Sequence, residues 1–237
     1  MKDLTQFYKV LQQQQSTFSS VLPFSLRDED IMVIDLSVNK DNPLAEIDLQ
    51  DTALLTGLLF QQLQAANARA AVGGYLEHRT IYARSQNFDN EGEPRRIHLG
   101  IDVWTKAHTP VIAPLPATIH SFQNNAGFGN YGPTIILEHH IAPYTFYTLY
   151  GHLSMASLEG KIEGTTIAQG EAFATIGNYP ENGDWPPHLH FQLITDLLGQ
   201  KGDFIGVCAV SQVAYYQKIC PDPNLILGIP QLPINLP

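Results

Sequence analysis

The sequence PPHLHFQLI, residues 186–194, places two histidines two residues apart. The pattern predicts a β-strand, and because side chains of a strand alternate between its faces, His188 and His190 are expected on the same face. Leu189 and Phe191 then point to the opposite face, towards a core. Two imidazoles on a rigid strand are suited to bind a metal ion, although a half-buried strand that merely exposes its histidines explains the same pattern.

Two further stretches carry side chains that could join this pair. His98 and Asp102 lie in HLGID, where Gly100 permits a bend that would bring an imidazole and a carboxylate onto one ion. Both groups are ordinary zinc ligands. His152 lies in YGHLS, directly after an apolar run, and taken alone is equally well explained as a structural histidine bonded to the backbone.

The three stretches together resemble a known enzyme family. The order H-x-G-x-D, then Y-x-H-L-S, then H-L-H-F in a chain rich in predicted strands resembles the lysostaphin/LytM-type zinc metallopeptidases, endopeptidases that cut peptidoglycan cross-bridges or stem peptides. The segments TPVIAPLPATIHSF and GEAFATIGN are similar to further parts of the pattern. The resemblance covers residues 75–194.

This resemblance implies a role for five residues. His98, Asp102 and His190 would be the protein ligands of a zinc ion, and the fourth position would hold water, as in catalytic zinc sites. His152 and His188 would act on the water and on the transition state. The implied partner is a peptide or peptidoglycan-fragment substrate.

The chain also departs from that family. Small residues are usual before the H-x-H strand, but here the run 181–187 is ENGDWPP. Trp185 and the two prolines would form a bulkier and stiffer wall, so a different substrate is expected. The resemblance further implies a tyrosine that supports the oxyanion, for which Tyr75 is the candidate. In latent relatives an asparagine blocks the zinc, and Asn87 or Asn90 could take that part here.

A second resemblance concerns the flanks. The runs GGYLEHRTIYARS, ENGDWPPHLHFQL and DPNLILGIP resemble a peptidase-like module of longer bacterial fusion proteins, where it lies between a phosphotransferase and an aminotransferase domain.

Three functions are open from the sequence. The first is a zinc-dependent metallo-endopeptidase-like hydrolase. The others are a zinc amidohydrolase acting on a small cytoplasmic metabolite, and a catalytically silent protein that binds peptidoglycan or a partner.

Composition narrows the class of protein. The 237 residues are 44% hydrophobic and 15% charged, which is typical of a globular chain that can bury a core. A net charge of −10 without a basic cluster argues against nucleic acid as a partner. We find no signal peptide and no membrane span, so the cytoplasm is the default expectation, with non-classical export left open. Cys208 and Cys220 are expected to be free thiols or packing residues.

The elements that must position the site follow from periodicity. Helices are predicted over 4–18 and over 51–69, the second with Asp51 as N-cap, and a buried strand over 31–36. Between 75 and 194, short apolar runs separated by Gly, Pro and Asn predict strands. These strands are 80–83, 100–104, 110–114, 117–122, 134–139, 146–149 and a hairpin within 167–176.

Strands at this spacing predict a mainly β fold. We expect an antiparallel β-sandwich or barrel-like core of the LytM type with an N-terminal α/β extension. Strand 110–114 should pair with 117–122, and 134–139 with 146–149. The proposed division is an N-terminal extension with helices (1–72), a metallopeptidase core (73–200) and a Pro-rich C-terminal segment (201–237) that packs on the core. Within that segment, residues 221–237 are expected to form no central strand or helix, because they contain five prolines.

Overall fold

The computed structural model describes residues 4–37, 50–89 and 92–236. Its strands are β1 (Ile31–Val33), β2 (Ala70–Gly73), β3 (Arg95–His98), β4 (Ile101–Trp104), β5 (Pro110–Ile112), β6 (Ala117–Asn125), β7 (Gly132–Ile141), β8 (Tyr144–Gly151), β9 (Thr166–Ile167), β10 (Ala172–Thr175), β11 (His188–Ile194) and β12 (Val207–Ala209). Its α-helices are α1 (Thr5–Gln14), α2 (Thr52–Ala65), α3 (Val213–Tyr216) and α4 (Asn224–Leu227). None of the helices in the described ranges is long and apolar enough to cross a membrane.

An eight-stranded sheet forms the centre of the molecule, in the order β1-β2-β4-β11-β8-β7-β6-β9. Neighbouring strands run antiparallel except for β1 and β2, which run parallel. Two smaller antiparallel sheets pair β5 with β10 and β3 with β12. The prediction of a mainly β, antiparallel fold with an N-terminal α/β extension is confirmed.

Strand β11 lies near the middle of this sheet and separates the core from the site. Leu189, Phe191 and Leu193 are fully buried in the main hydrophobic cluster, as the alternation predicts. The same cluster contains α1 through Phe7 and Leu11, so this helix packs on the core-facing side of the sheet. The histidines of β11 therefore lie on the opposite side.

Helix α2 covers part of that opposite side. Its N-terminus is capped by Asp51, whose carboxylate accepts the backbone N–H of Leu54, as predicted. Leu55, Leu59 and Leu63 recur at helical spacing and pack in a second cluster that contains Trp104, Trp185 and Tyr82. The N-terminal part of the chain thus contributes to the face that carries the histidines.

Two predicted pairings were wrong. Strand β5 pairs with β10, and β6 pairs with β7 and β9, so 110–114 and 117–122 do not form a hairpin, and neither does 167–176. The prolines at 114 and 116 lie between β5 and β6, and because proline has no N–H it cannot continue a ladder through this turn. The predicted hairpin of 134–139 and 146–149 is confirmed as β7 and β8.

Two predicted local conformations were also wrong. Residues Thr80–Arg84 form a 3-10 helix rather than a strand. The adjacent Ile81 and Tyr82 are both buried, whereas in a strand with one buried face neighbouring residues alternate between buried and exposed. Near the C-terminus, α4 is a buried helix where none was expected. It starts after Pro223, where a missing N–H costs nothing, and ends at Gly228 with a left-handed φ of 64°.

Candidate metal centre and active site

Three strands bring the predicted ligands together. Asp102 on β4 and His190 on β11 are direct partners across the antiparallel ladder, so their side chains leave the sheet side by side. His98 is the last residue of β3, and β4 begins after only two further residues, so Asp102 lies close to His98. All three residues are almost completely buried.

The three ligand atoms have the spacing that one ion requires. His98 Nε2 lies 3.2 Å from Asp102 Oδ1, His190 Nδ1 lies 3.0 Å from the same oxygen, and the two nitrogens are 3.0 Å apart. Ligands about 2.0–2.1 Å from a tetrahedral zinc ion lie roughly 3.3 Å from one another. The triangle therefore fits such an ion after shifts of a few tenths of an ångström.

Outer hydrogen bonds orient both imidazoles. His98 Nδ1 donates to the carbonyl of Gly74 at 3.1 Å, which leaves Nε2 without a hydrogen and facing the triangle. His190 Nε2 donates to Gln192 Oε1 at 3.1 Å, and the amide nitrogen of Gln192 donates in turn to the carbonyl of Ile205 at 3.0 Å. Each ring thus presents a defined nitrogen to the site.

The charge states at this site suit metal binding. Burial, with a contribution from Arg79, lowers the pKa of His98 to about 4. Burial alone would raise the pKa of the Asp102 carboxyl, but His98 and Arg79 outweigh it and hold that pKa well below its usual range. At neutral pH the site therefore offers a neutral imidazole and a carboxylate, the forms that bind a metal ion.

His152 and His188 lie beside the triangle and have the same tautomer. His188 Nδ1 donates to the carbonyl of Pro186 at 2.7 Å, and His152 Nδ1 donates to the carbonyl of Asn182 at 2.8 Å. Their ring centroids are 4.2 Å apart, and His188 Nε2 is 3.9 Å from Asp102 Oδ1. Burial lowers the pKa of both imidazoles, so both rings are neutral at neutral pH. Because Nδ1 carries the hydrogen in each ring, Nε2 can accept a proton.

The backbone at His152 is held in an uncommon conformation. Its φ is 59°, in the left-handed region, directly after the end of β8. The His152 N–H donates to the carbonyl of Tyr131, and its own carbonyl accepts from the N–H of Gly177, both at 2.9 Å. These bonds stabilise a conformation that would otherwise be unfavourable by roughly 1–3 kcal/mol, and they aim the ring at β11.

A cavity of about 780 Å³ lies in front of these side chains. Asp102, His152, His188 and His190 line it, while its other walls come from several parts of the chain. Six of the other wall residues are Leu36, Leu59, Tyr82, Tyr131, Trp185 and Asp203. Trp185, which the sequence marked as a departure, is thus part of the cavity.

The candidate for an oxyanion tyrosine does not line the cavity. Tyr75 lies in the main core, where its hydroxyl donates to the carbonyl of Cys220 at 2.5 Å. Among the tyrosines that line the cavity, Tyr131 has its hydroxyl 3.3 Å from His190 Nε2. Tyr131 follows Gly-Asn in the turn before β7, a position that periodicity does not mark. Gly206 makes room for it, because a Cβ there would overlap the Tyr131 hydroxyl.

Three further residues lie around the site, namely Asn87, Gly100 and Arg79. Asn87 lines the cavity, and its side chain donates to the carbonyl of Phe128 at 3.0 Å, whereas Asn90 lies outside the described residues. Gly100 lies at a bend between β3 and β4, as predicted, and its φ is not left-handed. It is needed for space, because a Cβ would lie 2.5 Å from His190 Cε1. Arg79, which the sequence did not single out, donates to Asp102 Oδ2.

Comparison with known proteins connects this geometry to a family. Residues 96–203 match the family model "Peptidase family M23". The matched segment is slightly less than half of the chain and includes all five residues of the predicted site. It supports the resemblance to a peptidase that the motifs indicated, while the resemblance to a module of fusion proteins stays a prediction. A search of curated proteins found no match.

Several solved structures are similar to parts of the chain. They include a zinc-containing peptidase from Vibrio cholerae (23% identity, 41% of this chain and 27% of that chain, TM-score 0.31). They also include the catalytic domain of a prophage-encoded M23 protein, EnpA, from Enterococcus faecalis (21%, 49% and 84%, TM-score 0.35). A third is the catalytic domain of lysostaphin from Staphylococcus simulans (21%, 52% and 80%, TM-score 0.33). The chain spans about a quarter of the Vibrio protein.

Proposed function

We propose that this protein is a zinc-dependent metallo-endopeptidase-like hydrolase that cleaves a peptide or other amide bond. The observation that carries the proposal is the buried triangle of His98 Nε2, Asp102 Oδ1 and His190 Nδ1, with sides of 3.0–3.2 Å. It is a set of three protein ligands with two further histidines beside it, which is the composition of a catalytic rather than a closed structural zinc site.

The proposed roles follow from the donor set. A zinc ion, when bound, would polarise the scissile carbonyl and make a water more acidic. His98, Asp102 and His190 would hold the ion through the atoms that their outer hydrogen bonds leave free. We assign no metal-binding role to His152 or His188.

His188 and His152 are the proposed proton carriers. Each has its Nδ1–H tied to a backbone carbonyl and its Nε2 free, so the proton of the attacking water has an acceptor in the cavity. The same nitrogen can return that proton to the leaving amine. Burial, with a contribution from the Asp203 charge, raises the pKa of Tyr131 well above its usual range, so this hydroxyl stays a donor for the developing oxyanion.

The substrate class has two candidates. The family match supports a peptide of the peptidoglycan type. The walls of the cavity favour the second, a small cytoplasmic peptide or amide, because Leu36 and Leu59 from the N-terminal part of the chain and Trp185 bound the space in front of β11. A silent binding role is less well supported, since all five side chains are present and oriented. The division at 72 and 200 and the cytoplasmic location stay part of the proposal.

The test combines metal analysis with substrate profiling. Purified protein should bind about one zinc per chain, and His98→Ala and His190→Ala should lose it. His188→Ala and His152→Ala should keep the metal and lose hydrolysis about 10²–10⁴-fold. His140→Ala, on an exposed face of β7, is the control. A wild-type protein without zinc affinity, or full activity in His188→Ala, would overturn the proposal.

The substrate arms separate the candidates. The zinc-loaded protein is incubated with purified sacculi and with a library of short peptides and acylated amines, and the products are identified by mass spectrometry. Cleavage of sacculi supports the endopeptidase, and cleavage of small amides alone supports the amidohydrolase. A zinc-loaded protein that cleaves neither supports a binding role.

A further inference from the structure

Arg79 is a buried cation that contacts the proposed metal ligand from outside. Its side chain is 1% exposed, and Nη1 donates to Asp102 Oδ2 and, at 3.1 Å, to the hydroxyl of Tyr82. Its Nε donates to Glu77 Oε2 at 2.5 Å. The guanidinium therefore bridges two carboxylates, of which only Asp102 belongs to the ligand triangle.

The N-terminal part of the chain fixes this bridge. The second oxygen of Glu77 accepts the backbone N–H of Leu36 at 2.8 Å, and Ser37 forms an isolated antiparallel bridge with Arg79. The Arg79 N–H donates to the carbonyl of Arg96 on β3 at 2.9 Å. A continuous set of bonds thus runs from the segment after β1, through Glu77 and Arg79, to the carboxylate of Asp102.

Stability alone does not account for this arrangement. Arg79 Nη2 is buried and has no hydrogen-bond partner among the described residues, and leaving a buried donor unpaired costs about 1–3 kcal/mol. Buried ion pairs are often no more stabilising than apolar residues of the same volume. The ring faces of Trp104 and Tyr82 pack on the guanidinium, at 5.7 Å and 5.9 Å, and an apolar side chain would fill that space as well.

The two oxygens of Asp102 have separate partners. Oδ1 lies 3.2 Å from His98 Nε2 and 3.0 Å from His190 Nδ1, whereas Oδ2 is taken by Arg79. A carboxylate tied in this way cannot turn both oxygens towards an ion at the triangle.

We propose that Arg79 is a positioning residue, held by Glu77 and the segment after β1, that restricts Asp102 to binding zinc through Oδ1 alone. This inference rests on the proposed zinc site. A carboxylate that binds through one oxygen keeps the number of protein donor atoms on the ion at three and so preserves the open position that hydrolysis requires. The N-terminal part of the chain thereby contributes to the metal site.

The test compares zinc affinity and coordination in variants of the full chain. Zinc affinity is measured by competition with a chelator, and geometry by the visible absorption of the cobalt-substituted protein. Arg79→Met should weaken zinc binding about 10–100-fold, the usual effect of losing an outer partner, and should change the cobalt spectrum towards higher coordination. Arg84→Met is the matched control, because Arg84 is also buried but stacks on Phe128 and Trp185 instead of contacting Asp102.

A second variant keeps the inference testable if Arg79→Met does not fold. Arg79→Lys retains the charge but cannot reach Glu77 and Asp102 at once, so a positioning role predicts an altered cobalt spectrum and weaker zinc binding. Wild-type affinity and spectrum in folded Arg79→Met or in Arg79→Lys would overturn the inference. Absence of zinc binding by the wild-type protein would instead overturn the proposed function.

Discussion

Gly100→Ala tests the candidate metal centre with a single methyl group. The backbone at Gly100 is not in the left-handed region, so alanine meets no conformational barrier, and only space is at issue. A Cβ at this position would lie 2.5 Å from Cε1 and 2.8 Å from Nε2 of His190, and 2.9 Å from the carbonyl oxygen of Phe191. Carbon atoms in contact are normally about 3.5–4.0 Å apart, so the imidazole must move by about 1 Å.

That displacement is large for this site. A functional arrangement must hold within about 0.5 Å, and His190 Nδ1 is only 3.0 Å from its two neighbours in the triangle. We expect zinc affinity to fall about 10–100-fold, as for loss of an orienting contact. Overpacking should also lower the free energy of unfolding by about 1–3 kcal/mol.

The assay is chelator competition for zinc together with urea unfolding. Gly57→Ala is the matched control, since a Cβ at Gly57, on α2, meets no atom within 4 Å. This control should bind zinc as the wild type does and be more stable by up to about 1 kcal/mol, because alanine is the better helix former. If Gly100→Ala retained wild-type zinc affinity, His190 would not be a ligand in the orientation described.

Three further predictions concern the surrounding residues. The pKa values of His152 and His188 lie below the ordinary histidine value of about 6.5, and protonation of either ring removes the proposed base. A pH–rate profile should therefore show that hydrolysis is lost only below about pH 6.5. Burial lowers the pKa of His139 to about 4, so the unfolded chain binds more protons than the folded chain between about pH 6.5 and 4, and the free energy of unfolding falls as the pH falls through this window. Between pH 6.5 and 5, urea titrations should show that the free energy of unfolding decreases by about 2 kcal/mol less in His139→Gln than in the wild type. Asn182→Ala should lower the free energy of unfolding by about 1–3 kcal/mol and reduce hydrolysis, since its amide bonds the N–H and carbonyl of Trp185 and its own carbonyl orients His152; unchanged stability and activity would contradict this role.

The parts of the site that were predictable depend on local geometry. His188 and His190 were placed on one face of β11 by the period of a strand, and the structure has them on one face. His98 and Asp102 are four residues apart, so their proximity needed only the short connection between β3 and β4. Motif order then brought these stretches together with His152.

What the sequence did not reveal depends on long-range contacts. Tyr131 reaches the site from a turn and Arg79 from an isolated β-bridge, and neither position follows a period, so nothing local distinguishes them from Tyr75 or from exposed arginines. The segment 80–84 has the composition of a strand, but the surrounding chain gives it no ladder partner along its length, and it closes into a 3-10 helix. The purpose of Gly100 likewise required knowledge of where the His190 ring lies.

The position of β11 explains how so many buried polar groups are tolerated. His188, His190 and Gln192 lie on one face of this strand and are at most 3% exposed, although burying a polar group is costly unless it is bonded. Each of the three has a bonded partner, and the opposite face places Leu189, Phe191 and Leu193 in the main core. Because β4 and β8 pair with the strand on both sides, the backbone that carries His190 cannot move without disrupting that core. The rigidity of the candidate site is therefore a consequence of the strand order.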